Sequence, residues 1–403
     1  MNDVISSIQK DDASKFEELY LNTDTLHSFN YSIENDRSSN INKFIPMNNL
    51  DLIHVAAYYD SIKCFTFLHN QGKSIHLKTP ANFTPLQYAC LGGSLKIATF
   101  ICQNTEDKKV LNDYPNYGPI PINLAISSKS PQTLQVLLTN GVKLPKIAIN
   151  DAFSPFIEAI KINIKSPESL SILFQHAFSE SKEQKQDEKS YLIEDPENYS
   201  LIMRSITSNS HECLHFLVEN KIGDVSFQTK NGDFALQLAL LVKDEEVVDY
   251  LLKNGAKLDM KNKLGQYPIH LAASTDNVNI VRMILANGCD VNAKDSRGRT
   301  PAFSVCLSAK NMDKILQLLI NAGCDINVGD RQNLTVADQM IIMDPTPQLL
   351  ESIKIILENG FDLNHVGGRN TKTVYQKVKL LAPKQIKDVF DEYIMKHPGI
   401  VLK

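Results

Sequence analysis

The sequence predicts an all-α fold built from stacked helix–turn–helix repeats. The strongest observation is internal similarity: the stretch from Gly265 to Asp295 is followed at once by a stretch of the same pattern, from Gly298 to Asp330. A second observation is extent, because equivalent positions recur along most of the 403 residues. A period near 33 residues is typical of arrays in which each unit packs only against its neighbours. The sequence therefore favours one elongated solenoid over a compact single-core enzyme.

One position, directly before the first helix of each unit, shows the repeat most clearly. In the Gly265 repeat this position is Tyr267. The equivalent residues elsewhere are Asp51, Thr84, Ile120, Ser154, Ser200, Phe234, Thr300 and, more loosely, Thr335. Successive positions lie 33 to 36 residues apart, except for 46 residues between Ser154 and Ser200. The pattern is strongest in the second half of the chain and weakest between residues 105 and 230.

The first helix of the Gly265 repeat is predicted to begin at Pro268. Proline lacks a backbone donor, which the first helical turn does not need, and the residue ahead of it can cap the helix. Ile269, Ala272 and Ala273 then form a short apolar stripe at helical spacing. The two small alanines allow a neighbouring helix to approach closely.

A second, longer helix is predicted after the turn at Asp276–Asn277. Its buried face is formed by Ile280, Val281, Ile284 and Leu285. Gly288 is placed to end this helix in a left-handed conformation. The polar segment from Cys289 to Arg299, with Gly298 for a turn, is predicted to project as an extended finger.

These segments resemble the ankyrin repeat, whose pattern is G-x-T-P-L-H-x-A-A, then G-[HN]-x-[EN]-[IV]-V-x-x-L-L, then G-A-D-[VI]-N. The best matches are Asn231–Asn262, Gly265–Asp295 and Gly298–Asp330, followed by Asn48–Lys78 and Phe83–Cys102. The resemblance implies an all-α ankyrin-repeat solenoid with projecting finger loops, right-handed and curved, with about eight repeats over residues 48–366.

The flanking segments are predicted to cover the ends of this array. Residues 1–47 are expected to form a helical cap and a long loop. The charged insertion near residues 178–198 is expected to be a solvated, mobile loop, with a regulatory or docking segment as the alternative. Residues 367–403 contain eight Lys or Arg and three Asp or Glu. They are expected to form an eroded last repeat and a basic capping helix, with binding to an anionic partner or membrane surface as the alternative.

Composition narrows the classes of function. The formal charge is −4, with 22% charged and 43% hydrophobic residues, which argues against a general nucleic-acid binder. The apolar runs are shorter than the roughly 18 residues that a membrane helix needs. The first residues lack the basic region and apolar core of a secretory signal. A monomer in the cytoplasm or nucleus is therefore expected.

Cysteines and histidines do not form a recognisable reactive site. The seven cysteines include no C-x-x-C pair and fall at repeat positions, so we interpret them as small, reduced core residues. His54 and His270 occupy the H of the T-P-L-H motif, where the resemblance implies hydrogen bonds to the first turn and the adjacent finger. Motifs for a nucleophile elbow, a phosphate loop or a zinc protease are missing from the sequence. We therefore predict no catalytic residue, no metal, no cofactor and no enzymatic activity.

The predicted function is a protein-interaction scaffold. The resemblance implies binding on the concave side, formed by finger tips and first helices. The corresponding residues are Lys261, Lys263, Leu264, Gln266, Ser274, Thr275, Lys294, Ser296, Arg297, Arg299, Leu307, Ser308, Arg331 and Gln332, preceded by Lys230, Asn231, Asp233, Leu241 and Val242. Because basic residues outnumber acidic ones on the fingers from 261 to 299, an acidic peptide or protein surface is the expected partner.

Two other functions stay open. One is an adaptor that recruits a larger complex, such as a ubiquitin ligase, through the C-terminal helix, although a SOCS-box pattern is not recognisable between Val374 and Leu402. The other is an enzyme with an unrecognised site in the degenerate middle of the array.

Overall fold

The computed structural model describes residues 2–22, 47–48, 50–112, 120–144, 154–162, 166–184, 199–308, 310–368 and 372–402. Those residues form 22 α-helices and a short 3-10 helix at Val110–Asn112, with isolated β-bridges but no strands. The all-α repeat fold is thus confirmed. The chain divides into two compact units, Met1–Gly223 and Asp224–Lys403. None of the helices in the described ranges is both long and apolar enough to cross a membrane.

The first unit contains six helix pairs. The helices are α1 (Asn2–Gln9), α2 (Ala13–Leu21), α3 (Leu52–Tyr58), α4 (Ile62–Asn70), α5 (Pro85–Gly92), α6 (Leu95–Gln103), α7 (Pro121–Ser127), α8 (Pro131–Thr139), α9 (Pro155–Ile162), α10 (Glu168–Gln184), α11 (Leu201–Thr207) and α12 (His211–Glu219). The first helices of successive pairs stack from α3 through α5, α7 and α9 to α11. Helices α1 and α2 pack on α3 and α4 and bury Val4, Ile8, Phe16 and Tyr20.

The second unit contains five helix pairs. The helices are α13 (Ala235–Val242), α14 (Glu245–Lys253), α15 (Pro268–Ser274), α16 (Val278–Ala286), α17 (Pro301–Val305), α18 (Met312–Asn321), α19 (Val336–Met340), α20 (Pro347–Glu358), α21 (Val374–Leu381) and α22 (Lys384–Lys396). First helices stack in the order α13, α15, α17, α19, α21, and second helices stack from α14 to α22. The apolar residues Ile386 and Phe390 of α22 are fully buried in this stack.

The first helices begin where the repeat pattern predicts. Pro268 is the first residue of α15, and Tyr267 ahead of it has extended backbone angles. In α5, α19 and α21 the residue before the helix is a threonine that forms a capping box with the third helical residue. Such boxes satisfy two of the backbone donors that a helix start leaves free.

Aspartates in the turns between paired helices join one repeat to the next. Asp60 and Asp276 have left-handed backbone angles, with φ of 55° and 63°. The Asp60 carboxylate accepts a hydrogen bond of 3.1 Å from the backbone N–H of Ile97 in the following repeat. Asp276 likewise accepts from the backbone N–H groups of Lys310 and Asn311, at 3.1 and 2.8 Å. Each carboxylate therefore positions the start of the next second helix.

Close approach between first helices determines the residue size that the core accepts. Ala272 and Ala273 of α15 are completely buried, as are Ile280, Val281 and Ile284 of α16. At Gly92, an added Cβ would lie 1.9 Å from the carbonyl oxygen of Tyr58, so any side chain would collide with backbone. The predicted apolar stripes are confirmed except at Leu285, which is only half-buried, and the need for small residues is confirmed.

One predicted loop begins later than expected. Residues 178–184 of the charged insertion continue α10 instead of forming a loop. Their sequence, rich in Glu, Lys and Gln and free of Gly and Pro, favours helix. Residues 185–198, like most of the predicted loop between residues 22 and 49, lie outside the described residues.

Candidate functional site

Four successive fingers of the second unit are each closed by a polar side chain that binds the finger's own backbone. The Asp295 carboxylate accepts from the N–H groups of Arg297 and Arg299, at 2.8 and 2.9 Å. Asp330 accepts from Gln332 and Leu334 at 2.8 and 3.0 Å. Asn262 and Thr229 serve the same purpose in the two preceding fingers. The carboxylates of Asp295 and Asp330 are therefore turned towards their own backbone.

Neighbouring fingers are also joined through their backbones. The N–H of Ser296 donates to the Leu264 carbonyl at 3.1 Å, and the N–H of Arg331 donates to the Arg297 carbonyl at 2.9 Å. A Cβ at Gly298 would lie 3.0 Å from the Arg331 backbone nitrogen, and Gly298 has a φ of +79° that favours glycine. The finger tips thus form one continuous, closely spaced row.

Histidines join the first helices to the fingers. Nε2 of His270 lies 2.9 Å from the Arg299 carbonyl oxygen, and Nδ1 accepts from the Tyr267 N–H at 3.3 Å. His54 reaches the Leu77 carbonyl at 2.9 Å in the same way. Burial lowers the pKa of both imidazoles, although backbone hydrogen bonds partly oppose it. The predicted bonds to the first turn and to the finger are both confirmed for His270, whereas His54 confirms only the bond to the finger.

The lowered pKa values predict a loss of stability in mild acid. The unfolded chain takes up protons near pH 6.5, before the buried imidazoles do, so the free energy of unfolding should fall below that pH. Each histidine should contribute up to about 1.4 kcal/mol per pH unit until its folded-state pKa is reached. Glutamine occupies the same position at Gln87 and Gln237. A His54→Gln/His270→Gln variant should therefore lose less stability between pH 7 and 5.5 than the wild type in urea titrations.

The matched control is His397→Gln, a change at an exposed residue. It should keep the wild-type dependence on pH. If the free energy of unfolding changed equally with pH in all three proteins, the pKa values of His54 and His270 would be the same in the folded and unfolded states.

Most of the predicted partner-binding side chains lie at the surface. The exposed ones are Lys261, Lys263, Leu264, Lys294, Ser296, Arg297, Leu307, Arg331 and Gln332. Gln266 and Ser274 are half-buried. The Lys261 ammonium lies 4.9 Å from the centre of the Tyr267 ring, so part of its charge is already engaged.

A groove runs between the finger tips and the first helices near the end of the second unit. Its volume is about 830 Å³, and its lining includes Arg297, Arg331, Leu334, Ile342 and Leu381. The size falls in the range of ligand-binding pockets, which is about 300–1,000 Å³. Finger residues and helix residues therefore share one surface here.

The repeats match a known family. The family model for ankyrin repeats matches residues 53–148, 156–262 and 242–330, which together make up more than half of the chain. The chain belongs to the ankyrin repeat family. Among proteins of curated function, no significantly similar sequence is found. Ankyrin repeats generally mediate protein–protein interactions and are typically non-enzymatic.

Three residues that were predicted to bind a partner do not have free side chains on the ankyrin surface. Thr275 and Ser308 are buried, and their hydroxyls donate to the Ala272 and Ala273 carbonyls at 2.7 Å. They satisfy the ends of first helices and cannot present their side chains to a partner. The third is Arg299, whose guanidinium binds Asp295 through Nε and Nη2 at 3.0 and 2.8 Å.

Asp295 and Arg299 form an internal pair within the ankyrin finger. Burial alone would raise the pKa of Asp295, but hydrogen bonds from Arg299 and Arg297 outweigh it and hold that pKa below the usual value. The Asp295 side chain is 1% exposed. Replacing Arg299 by an acid would place two carboxylates together, so Arg299 is unsuitable for a surface test of binding.

Part of the exposed ankyrin surface was not predicted from the sequence. Ile342, Leu380 and Leu381 are large, exposed aliphatic residues at the ends of α19 and α21. They are equivalent to the predicted Leu241, Val242 and Leu307, since each lies seven or eight residues after the residue that precedes the first helix. The same count from Thr335 and Thr373 would have found them.

The cysteines are core residues of the ankyrin stack. All seven are free thiols, and six of them are buried. Burial raises the pKa of Cys64 to about 12 and that of Cys102 to about 11, so thiolates are disfavoured. Across the described ranges, His, Cys, Asp and Glu form no group of three or more that could hold a metal ion.

Proposed function

We propose that this ankyrin-repeat protein is a non-enzymatic scaffold whose protein partner binds the finger face of residues 224–403. The finger face is defined by the tips Lys230, Lys263, Arg297 and Arg331 and by the helix ends Leu241, Leu307, Ile342 and Leu380. Its partner is proposed to be acidic. The reduced, buried cysteines support the cytoplasm or nucleus as its compartment.

The observation that carries this proposal is the coincidence of exposed cations and exposed aliphatic residues on one surface. Leu307 and Ile342 are 69% and 68% exposed. Exposed apolar surface bordered by polar residues is typical of protein interaction sites, and Leu307, Ile342 and Leu380 recur at one position in three successive repeats. Free cations at the border add attraction for an acidic partner and steer its approach.

The arrangement of polar groups gives no comparable support to catalysis. The buried histidines of the first helices are held by backbone groups, and the thiols have raised pKa values. The buried Asp338 is engaged by Lys377 at 2.7 Å and by the backbone N–H of Thr335 at 2.8 Å. Each of these groups has a structural task within the repeats, which supports a binding function.

Affinity capture with a charge-reversed variant tests the proposal. The variant Lys263→Glu/Arg297→Glu/Arg331→Glu should fold normally, because surface changes at turns typically cost within about 0.5 kcal/mol each. It should lose proteins that the wild type retains from an extract of the native cells. Arg299 is left unchanged in this variant because its guanidinium binds Asp295.

The matched control reverses exposed cations on the second helices. Arg282 and Lys314 lie on α16 and α18 and are exposed. The variant Arg282→Glu/Lys314→Glu should capture the same proteins as the wild type. If both variants captured every partner, the finger face would not be the binding surface.

A further inference from the structure

Exposed aliphatic side chains recur at one position in the second unit. Leu241, Leu307, Ile342 and Leu380 each lie seven residues after the residue that precedes a first helix. Only Ser274 interrupts the row within these five repeats. In the first unit the same position is held by Tyr58, Leu91, Ser127, Lys161 and Thr207. Leu91, the aliphatic member of that group, is buried.

A second row, of cations, follows the finger tips with the same period. Lys230, Lys263, Arg297 and Arg331 supply one exposed charge in each of four successive fingers. Within the described part of the chain, none of the four forms a salt bridge. Of the acids in these fingers, Asp295 is paired with Arg299, whereas Asp233 and Asp330 accept hydrogen bonds from neutral groups and keep their charge. The four cations of the row therefore outnumber the two acids that lack a cationic partner, and the row keeps a net positive charge.

Arg297 and Arg331 of the cation row and Ile342 of the aliphatic row line the groove of about 830 Å³, together with Leu381. Of the charged side chains that line it, Arg299 is paired with Asp295, and Lys377 with Asp338. Asp330 accepts hydrogen bonds from its own finger. Arg297 and Arg331 form no salt bridge with another described residue, and with the exposed Ile342 and Leu381 they line the groove, where they outnumber the one acid, Asp330, that lacks a cationic partner. The groove thus offers positive charge on one side and aliphatic surface on the other.

We infer that the finger face binds an extended acidic segment that carries one aliphatic residue per repeat. This inference rests on the proposed function and specifies its partner. Packed helices lie about 8–10 Å apart. Three residues of a polyproline II helix rise about 9.3 Å, so an aliphatic residue at every third position matches the row from Leu307 to Leu380. An intervening carboxylate would meet Arg297 or Arg331 and neutralise it.

The chemistry of the two rows favours a peptide over other anionic ligands. Phosphates of a nucleic acid would pair with the arginines but leave Leu307, Ile342 and Leu381 against water. A peptide of mixed acidic and aliphatic composition satisfies both rows at once. Burial of aliphatic side chains contributes affinity, and the charge pairs contribute orientation.

The test uses a fluorescein-labelled probe of five Leu-Glu-Pro units, in which proline favours the extended conformation. Fluorescence anisotropy should show saturable binding to the full-length protein. A Leu-Lys-Pro probe lacks the carboxylates, and a Ser-Glu-Pro probe lacks the aliphatic side chains. Each should therefore bind at least about tenfold more weakly. Binding that is equal for the Leu-Glu-Pro and Leu-Lys-Pro probes would overturn the inference.

Variants of the protein show where the Leu-Glu-Pro probe binds. Arg297→Glu/Arg331→Glu and Leu307→Ser/Ile342→Ser should each weaken binding of the Leu-Glu-Pro probe at least about tenfold. The control Arg282→Glu/Lys314→Glu should bind as the wild type does. Circular dichroism melting checks that each variant is folded, and Lys263→Glu provides a second charge variant. Unchanged binding by folded variants would contradict the inference, as would preference for single-stranded DNA or phosphatidylserine vesicles.

Failure of this inference can be told apart from failure of the proposed function. If the charge-reversed triple variant loses captured proteins while the Leu-Glu-Pro probe does not bind, the finger face is a binding surface for another kind of partner. If neither effect is seen, both the partner class and the surface are wrong.

Discussion

Ala272→Asp is expected to destabilise residues 224–403 by about 3–5 kcal/mol, as for an unpaired charge buried in a protein core. Ala272 is completely buried on α15, which packs between α13 and α17. A carboxylate at this position would have no cation to pair with and too little space. Urea unfolding followed by circular dichroism should show the loss, and hydrogen exchange should locate it in α13, α15 and α17.

The control for this change is the same substitution at an exposed position. Ala286 is exposed at the end of α16, where an acid meets only the unfavourable end of the helix dipole. Ala286→Asp should therefore cost less than about 1 kcal/mol. If Ala272→Asp unfolded at the wild-type urea concentration, the packing of the first helices would differ from the stack described above.

Lys377→Met is expected to be nearly as damaging, at about 3–5 kcal/mol. The side chains of Lys377 and Asp338 are 7% and 5% exposed, and Nζ also donates to the Gly367 carbonyl at 2.8 Å. Removing the ammonium would leave the Asp338 carboxylate buried without a cation. Because the pair joins α21 to α19, hydrogen exchange should increase first in residues 336–396.

A double-mutant cycle isolates the interaction energy between Lys377 and Asp338 from their contacts with other groups. Asp338→Asn keeps an acceptor for Thr335 but removes the charge. The variant Lys377→Met/Asp338→Asn should recover at least half of the stability that Lys377→Met loses, since it leaves no unpaired charge. Additive losses would mean that the two side chains do not depend on each other.

The starts of the helices could be predicted from sequence because they depend on local chemistry. Pro268 begins α15, and Thr84 and Thr335 cap α5 and α19 through neighbours three residues away. Which charged side chains of the fingers are paired and which are unpaired could not be predicted from local sequence. Arg297 and Arg299 look alike in sequence, but the turn that Asp295 closes directs only Arg299 back to that carboxylate. Which charges are free is decided by the fold of the finger.

The aliphatic row was found only in part for a similar reason. Leu241 and Leu307 fall in repeats that match the ankyrin pattern closely, and the sequence placed both on the binding surface. Ile342 and Leu380 follow Thr335 and Thr373, where the pattern decays. Thr275 and Ser308 show the opposite error, since small polar residues at helix ends can satisfy backbone carbonyls in the interior.

The association rate of a captured partner tests the central claim most directly. It should be measured for the wild type and for Lys263→Glu/Arg297→Glu/Arg331→Glu, at about 0.05 M and about 0.3 M salt. Free cations on the finger face should speed the approach of an acidic partner, and salt should screen them. The wild-type rate constant should be at least about tenfold higher than that of the variant at low salt, and this difference should shrink at high salt. Equal rate constants for the folded proteins at low salt would contradict binding through the finger face.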